Sequence, residues 1–135
     1  MASIYDDIRA TLEVRLSQIP DIPTIAYENV PFNPTTGTPF VQPKFVPGSR
    51  KPAVRGINPQ QLYKGVFRVF CYVPEGRGVS EADSLANKVI EAFDATTDIS
   101  FGDTIVCIDY ADRDSGCLDQ PWYYVPVNIG WFIYS

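Results

Sequence analysis

The stretch that decides the fold is WYYVPVNIGWFIY, which runs from Trp122 to Tyr134. Large apolar side chains fill its odd positions, namely Tyr123, Val125, Val127, Ile129, Trp131 and Ile133. A period of two places them on one face of a β-strand, where they can cover a core. Pro126 has no N–H for a ladder, so we expect a bulge or a sheet edge there. The rest of the domain should pack around this strand.

Three other segments have strand patterns. Residues 62–73, LYKGVFRVFCYV, are apolar at both alternating sets of positions, which predicts a central strand covered on both faces. A short strand is expected at residues 24–28, and another at residues 100–110 that is strongest from 104 to 108.

Two segments have the apolar spacing of amphipathic helices. Residues 4–18 carry Ile4, Ile8, Leu12 and Leu16 in one row. Residues 80–93 carry a similar stripe, and Ser80 with Asp83 approximates a capping box at its start.

The order of these elements predicts an α+β fold. We expect a mixed or antiparallel sheet of about four or five strands, with two helices packed mainly on one face. The chain has 135 residues, of which 45% are hydrophobic. One domain spanning residues 1–135 is therefore the expectation, since domains usually run about 100–200 residues.

Residues 29–61 interrupt the regular patterns with seven prolines and three glycines. Compact domains seldom carry more than about 12–15 residues of irregular loop without a purpose. The segment keeps large apolar residues, which disordered linkers usually lack. We interpret it as an extended arm, with a hairpin near residues 40–45, that lies against its own domain or reaches a neighbouring subunit. A plain surface loop is the alternative.

Charge is segregated along the chain. Residues 1–29 have a net charge of −3, residues 30–74 have +6, and residues 75–135 have −8. A basic middle between acidic ends can attract nucleic acid or the acidic face of a second copy. The basic residues are sparse rather than clustered, which favours self-association.

Few residues suit catalysis or metal binding. There is no histidine, and Cys71, Cys107 and Cys117 are too few for a four-ligand zinc site. We expect buried or semi-buried free thiols in a reducing compartment, with no metal and no cofactor. Three carboxylates, Asp109, Asp112 and Asp114, could hold Ca²⁺ or Mg²⁺, but their spacing does not match an EF-hand. A solvated acidic hairpin tip is the simpler interpretation.

Targeting signals and membrane spans are not evident. No apolar run approaches the roughly 18 residues that a membrane span needs, and the N-terminus does not have a secretory pattern. We expect a protein that is made and used in a cytoplasm.

Two motifs resemble a known family. YENVPFNP at residues 27–34 leads into GTPF at residues 37–40, and the closing strand reads W-x-x-x-P-V-x-I from Trp122 to Ile129. Together with chain length and element order, they resemble the tail terminator, or tail completion, proteins of long-tailed phages and prophages.

This resemblance implies a structural, non-enzymatic protein in the virion tail. Its members form a ring, expected to be a hexamer, at the head-proximal end of the tail tube after assembly in the host cytoplasm. The ring ends tube polymerisation and provides a docking surface for the head-completion or connector proteins. DNA passes through the bore without specific binding. Partners would be further copies of the chain, the tube protein and the head-completion protein, with no membrane involved.

The arm supplies the expected contact residues for a subunit or tube interface. Phe32, Phe40 and Phe45 would be apolar anchors, and Arg50, Lys51 and Arg55 charged contacts. Three alternatives remain open: another virion structural protein such as a head-tail connector, neck or tail-tube subunit; a metal-dependent hydrolase centred on the three carboxylates; and a nucleic-acid binder using residues 44–55.

Overall fold

The computed structural model describes residues 4–53, 60–76, 78–94 and 98–135. Two helices and seven strands follow in chain order. They are α1 (Ile4–Ser17), β1 (Thr24–Ile25), β2 (Phe40–Pro52), β3 (Gln61–Pro74), α2 (Ser80–Ala92), β4 (Asp98–Phe101), β5 (Thr104–Arg113), β6 (Cys117–Asp119) and β7 (Trp122–Tyr134). One sheet contains all seven strands in the order β1-β2-β3-β7-β5-β4, with β6 also paired to β7. Only β1 and β2 run parallel among these pairs.

The α+β class is confirmed, but the predicted sheet of four or five strands was too small. Three strands account for the difference: β2 contains three prolines, and β4 and β6 are only four and three residues long. The predicted strand at residues 100–110 is in fact a hairpin. Gly102, with a φ of 61°, lies in the turn between β4 and β5. Short or proline-rich strands have little periodic signal, so sequence patterns miss them.

β7 lies at the centre of the sheet. It pairs with β3 along its whole length, from Trp122 opposite Pro74 to Tyr134 opposite Leu62. On its other side it pairs with β6 and then with β5.

Pro126 is not at a bulge or an edge on the β3 side, but on its other side it lies at the break between β5 and β6, where three residues lie opposite two of β7. The β3 register continues through it, with Pro126 opposite Phe70. Its carbonyl accepts the N–H of Asp114, in the connection between β5 and β6. The side of Pro126 that has no N–H therefore faces the connection between β5 and β6. No strand pairs with β7 at that point, so no hydrogen bond of a ladder is lost.

Both helices pack on one face of the sheet, as expected. They contribute the buried side chains Ile8, Leu12, Leu16, Ala82, Leu85, Ala86 and Val89. The odd positions of β3 and β7 meet them, including Phe67, Ile129 and Trp131, which are 0–1% exposed. We call this side of the sheet the covered face.

The expected capping box at the start of α2 does not form. The N-cap is Val79, with no side-chain cap, and Ser80 is already helical. The Asp83 carboxylate instead accepts a hydrogen bond from Arg113 on β5, which ties the helix to the sheet.

Strand β2 takes up 13 residues of the supposed arm, which corrects the interpretation of residues 29–61. Residues 40–47 pair with β3, followed by a register shift between Pro47 and Arg50. The hairpin is formed by β2 with β3 rather than within residues 40–45. The apolar residues that argued against a disordered linker, such as Val41 and Phe45, belong to the core.

Candidate functional site

The even positions of β3 and β7 point away from the helices, on what we call the open face. Coverage of β3 on both faces was predicted, but α1 and α2 both lie on the other side. The open face is largely half-exposed, and its main side chains are Lys44, Lys64, Val66, Arg68, Phe70, Tyr72, Tyr110, Asp112, Tyr124, Asn128, Phe132 and Tyr134. A sheet face of this size without a helix on it suggests a contact surface.

One row of paired residues crosses the open face at right angles to the strands. Lys44 on β2 lies opposite Arg68 on β3, which lies opposite Asn128 on β7, and Asp112 on β5 completes the row. Arg68 Nε donates to Asn128 Oδ1 at 2.9 Å, and Asn128 Nδ2 donates to Asp112 Oδ1 at 3.3 Å. Asp114 also joins, accepting from Arg68 Nη2 at 3.0 Å and from Asn128 at 3.1 Å.

A second row crosses the same face nearer the end of β7. Lys64 on β3 lies opposite Phe132 on β7, which lies opposite Cys107 on β5, and Asp98 on β4 lies opposite Cys107. The Asp98 carboxylate is a direct neighbour of the Cys107 thiol across the β4–β5 pair. Partial burial and this carboxylate both raise the pKa of Cys107.

Both rows have a lysine on the β2–β3 side and an aspartate on the β4–β5 side. Within the described residues, Lys44 and Lys64 make no ion pair, and neither does Lys51. Positive charge therefore lies toward the β2 edge of the open face and negative charge toward the β4 edge, and we call this the direction of charge across the sheet. The lysine side can attract the aspartate side of another copy.

Aromatic rings lie beside the first row, toward the end of β3 and the start of β7. Tyr124 contacts Phe70 and Tyr72 with ring centroids 5.9 and 5.0 Å apart, and Tyr72 stacks on Phe40 at 4.5 Å. Burial, followed by the neighbouring Tyr124 and Asp119, raises the pKa of Tyr72. Phe32, in the loop after β1, packs on Phe40 and covers this end of the face.

The other end of the sheet has exposed apolar side chains. Phe101, Ile105, Tyr110 and Tyr134 are 50%, 55%, 39% and 50% exposed. They lie on β4, β5 and β7, within or beside the hairpin of β4 and β5. Exposed aromatic and branched residues grouped in this way are typical of protein contact surfaces.

The interface residues chosen from the sequence include two buried aromatic residues and two exposed basic residues. Phe45 is 6% exposed, faces the helices and stacks on Trp131 at 5.3 Å; Phe40 is also 6% exposed. Arg50 and Lys51 are exposed near the end of the β2–β3 hairpin, where the Arg50 guanidinium lies 5.7 Å from the centre of the Tyr63 ring. Arg55 lies outside the described residues.

The predicted carboxylate cluster does not form a metal site. Among the described residues, no three potential ligands gather in a way that could hold a metal ion. Asp112 and Asp114 accept hydrogen bonds in the first row, whereas Asp109 is the extra residue at a register shift in β5. Asp109 and Asp112 lie within β5 and Asp114 in its connection to β6, and both strands pair with β7, so none of the three is at a hairpin tip.

All three cysteines are free thiols, in different environments. Cys71 is buried on the covered face, and burial raises its pKa to about 12. Cys107 is half-buried on the open face. Cys117 is exposed, so the expectation of buried or semi-buried thiols was wrong for this one residue.

Sequence reasoning missed the two charged rows. Arg68 stood out as the one charge among the apolar residues 65–73, but Asn128 and Asp112 carried no signal by themselves. Their partnership depends on strand register, which follows from the β3–β7–β5 order.

In the described part of the chain, no helix is long and apolar enough to cross a membrane.

Comparisons with known proteins extend over most of the chain. A family model described as phage tail terminator protein matches residues 7–131. The fold is similar to that of a solved structure, with a TM-score of 0.73, 23% sequence identity, and 97% of this chain and 96% of the other chain covered. At that identity the likeness shows the fold alone. No curated protein gives a significant match.

Proposed function

Since this chain belongs to the phage tail terminator protein family, whose role in the phage tail is structural, we propose that it forms a closed ring on the end of the tail tube. The ring ends tube polymerisation and presents a docking surface to the head-completion proteins. We propose six copies, on the resemblance to long-tailed phages. One sheet carrying both helices supports treating residues 1–135 as a single domain.

The observation that carries this proposal is the direction of charge across the sheet. In a ring, a patch on each copy meets a different patch on the next copy. The row from Lys44 to Asp112 and the row from Lys64 to Asp98 have such patches at their ends. Copies placed side by side bring the aspartate end of one row toward the lysine end of the next.

Closure of the ring explains how growth would stop. Once the last copy joins, every basic patch has met an acidic patch within the same ring, so no patch remains to recruit a further copy. A tube subunit, in contrast, must keep a surface that adds the next ring. The net charge of −5 also suits a bore through which DNA passes without binding, because like charges repel.

The proposal is tested by deleting the gene for this chain in its phage and measuring tail length by electron microscopy. Tubes should grow beyond their normal length and lack heads, and the wild-type chain supplied from a plasmid should restore normal virions. Tails of normal length after the deletion would contradict the terminator role. Absence of any tube would instead indicate a tube subunit.

A further inference from the structure

We propose that the end of the β2–β3 hairpin of one copy docks on the β4–β5 hairpin of the next copy. This inference rests on the proposed ring and names the surfaces that close it. The first surface, which we call the basic hairpin end, comprises residues 47–53 and 60–64. The second, the acidic hairpin, comprises β4, β5 up to Cys107, and the turn between the two strands.

Both surfaces lie at the same end of the sheet. Gln61, at the start of β3, exchanges two backbone hydrogen bonds with Ser135, just beyond β7. On the other side of β7, Cys107 lies opposite Phe132, and β5 begins three residues earlier at Thr104. At this end of the sheet, β2 and β4 therefore lie on opposite sides of β7, about 20 Å apart, because they are separated by four strand spacings of about 5 Å.

The charges of the two surfaces are complementary. Arg50, Lys51 and Lys64 are exposed on the basic hairpin end. Asp98 and Asp103 are exposed on the acidic hairpin. Within the described residues, none of these five side chains forms an ion pair in its own chain. Their charges remain available to a neighbour, for which they supply orientation as well as attraction.

Apolar groups accompany the charges on both sides. The acidic hairpin exposes about half of Phe101 and of Ile105. The basic hairpin end exposes Pro47 and Pro52, whose rings have almost no rotamer freedom to lose when they are covered. Contact between them would remove apolar surface from water at a small entropic cost.

The rest of the β2 edge is closed to strand pairing by a neighbour, which limits any backbone contact to the hairpin end and leaves side-chain contacts such as that of Lys44 open. The Val41 carbonyl accepts the N–H of Ala26, and the Phe45 N–H donates to the Glu28 carboxylate. With a period of two, positions 43 and 47 face the same edge, and both are prolines without an N–H. Prolines and capped donors are common protections against edge pairing.

Paired charge reversals test this docking in the intact phage. The gene-deleted phage is supplied with R50E/K51E, with D98K/D103K, or with both variants in the same cell. Each variant alone brings like charges together at every contact between neighbouring copies. We therefore expect overlong tails, as in the phage that lacks the gene. With both variants present, acidic β2–β3 ends meet basic β4–β5 hairpins, so alternating rings should form and normal tail length should return.

Two controls separate folding from docking. Thermal unfolding of each variant should stay close to wild type, because all four residues are exposed. The milder K51E and D103K variants, used in the same way, cover the case in which a double variant unfolds. Lys88→Glu changes an exposed charge on α2 and should leave tail length normal.

The outcomes distinguish the docking from the ring. Normal tails with either folded reversal alone, or overlong tails when the two folded variants are combined, would overturn the docking and leave the terminator role intact. Failure of the wild-type chain to restore the deletion phage would overturn both.

Discussion

The two faces of the central sheet differ although the same strands build them. On the covered face, the odd positions of β3 and β7 are almost all inaccessible to solvent and contact two helices. On the open face, the even positions carry aromatic rings and charged rows that are only half-covered. Trp131 and Phe132 are chain neighbours, yet one lies in the core and the other on the surface. This difference suggests that one face holds the fold together and the other serves assembly.

The largest effect that would distinguish the faces is the loss of a core aromatic residue. Trp131→Ala should lower the free energy of unfolding by about 3–5 kcal/mol, since it leaves a cavity beneath Phe45. The matched variant Phe132→Ala should cost about 1 kcal/mol or less, because that ring is half-exposed. Urea denaturation of the two purified variants measures both. Equal losses would contradict the division between the faces.

Two glycines, one toward each face, allow a second comparison. A Cβ at Gly65 would meet the Trp131 ring and the Val46 carbonyl, so Gly65→Ala should cost about 1–3 kcal/mol. The three atoms nearest to a Cβ at Gly130 would all belong to the ring of Tyr110, which is 39% exposed and can move aside. Gly130→Ala should therefore cost less, which thermal unfolding of the two variants would show. The reverse order would mean that Tyr110 is fixed as firmly as the core.

The thiols of the two faces should respond differently to alkali and to reagents. Because burial raises the pKa of Cys71 from 9.0 to about 12, the folded state keeps a proton that the unfolded state loses above pH 9. Stability should therefore fall by about 1.4 kcal/mol per pH unit from pH 9 toward 12. Cys71→Ala should lack this contribution, as urea melts at pH 9 and 10 would reveal. Parallel pH dependence in both proteins would contradict the burial.

At pH 8, a thiol reagent should label Cys117 and Cys107 before Cys71, because Cys71 is buried on the covered face whereas Cys117 is exposed and Cys107 half-buried. Mass spectrometry of the folded protein measures the order. Early labelling of Cys71 would show that the covered face opens readily.

The smallest effect is expected for the charged row itself. The side chains of Arg68 and Asp114 are 35% and 53% exposed, so solvent screens their pairing. Arg68→Met should cost within about 1 kcal/mol of stability, and added salt should reduce the difference. Chemical denaturation with urea at low and high salt tests this. A loss of several kcal/mol would mean that the open face stabilises the fold as strongly as the covered face.

The sequence predicted the elements with strong periodicity. Both helices, β3 and β7 lie within two residues of their expected bounds. β2 was hidden because Pro43 and Pro47, which normally argue against a strand, sit where an edge needs no donor. Phe40 and Phe45 were assigned to an interface because β2 was not recognised. An extended arm would have left both side chains exposed, whereas the strand buries them.

The candidate site could be predicted only in part. Arg50 and Lys51 could be chosen from charge segregation and from their place in a proline-rich segment, whereas the β2–β3 hairpin that holds them was not predicted. The rows through Asn128 and Cys107 could not, since they join residues 16–68 positions apart through the register of β7 with β3 and β5. Sequence patterns indicate which face a side chain takes but not which residue lies opposite it.

Lysine acetylation in free and tail-bound protein tests the central claim most directly. The chain has four lysines: Lys44, Lys51 and Lys64 lie on β2 and β3, whereas Lys88 lies on α2 as an internal control. If the basic hairpin end closes the ring, Lys51 should be labelled several-fold less in intact tails than in the free chain, while Lys88 stays unchanged. Undiminished labelling of Lys51 in tails that contain the chain would contradict the account.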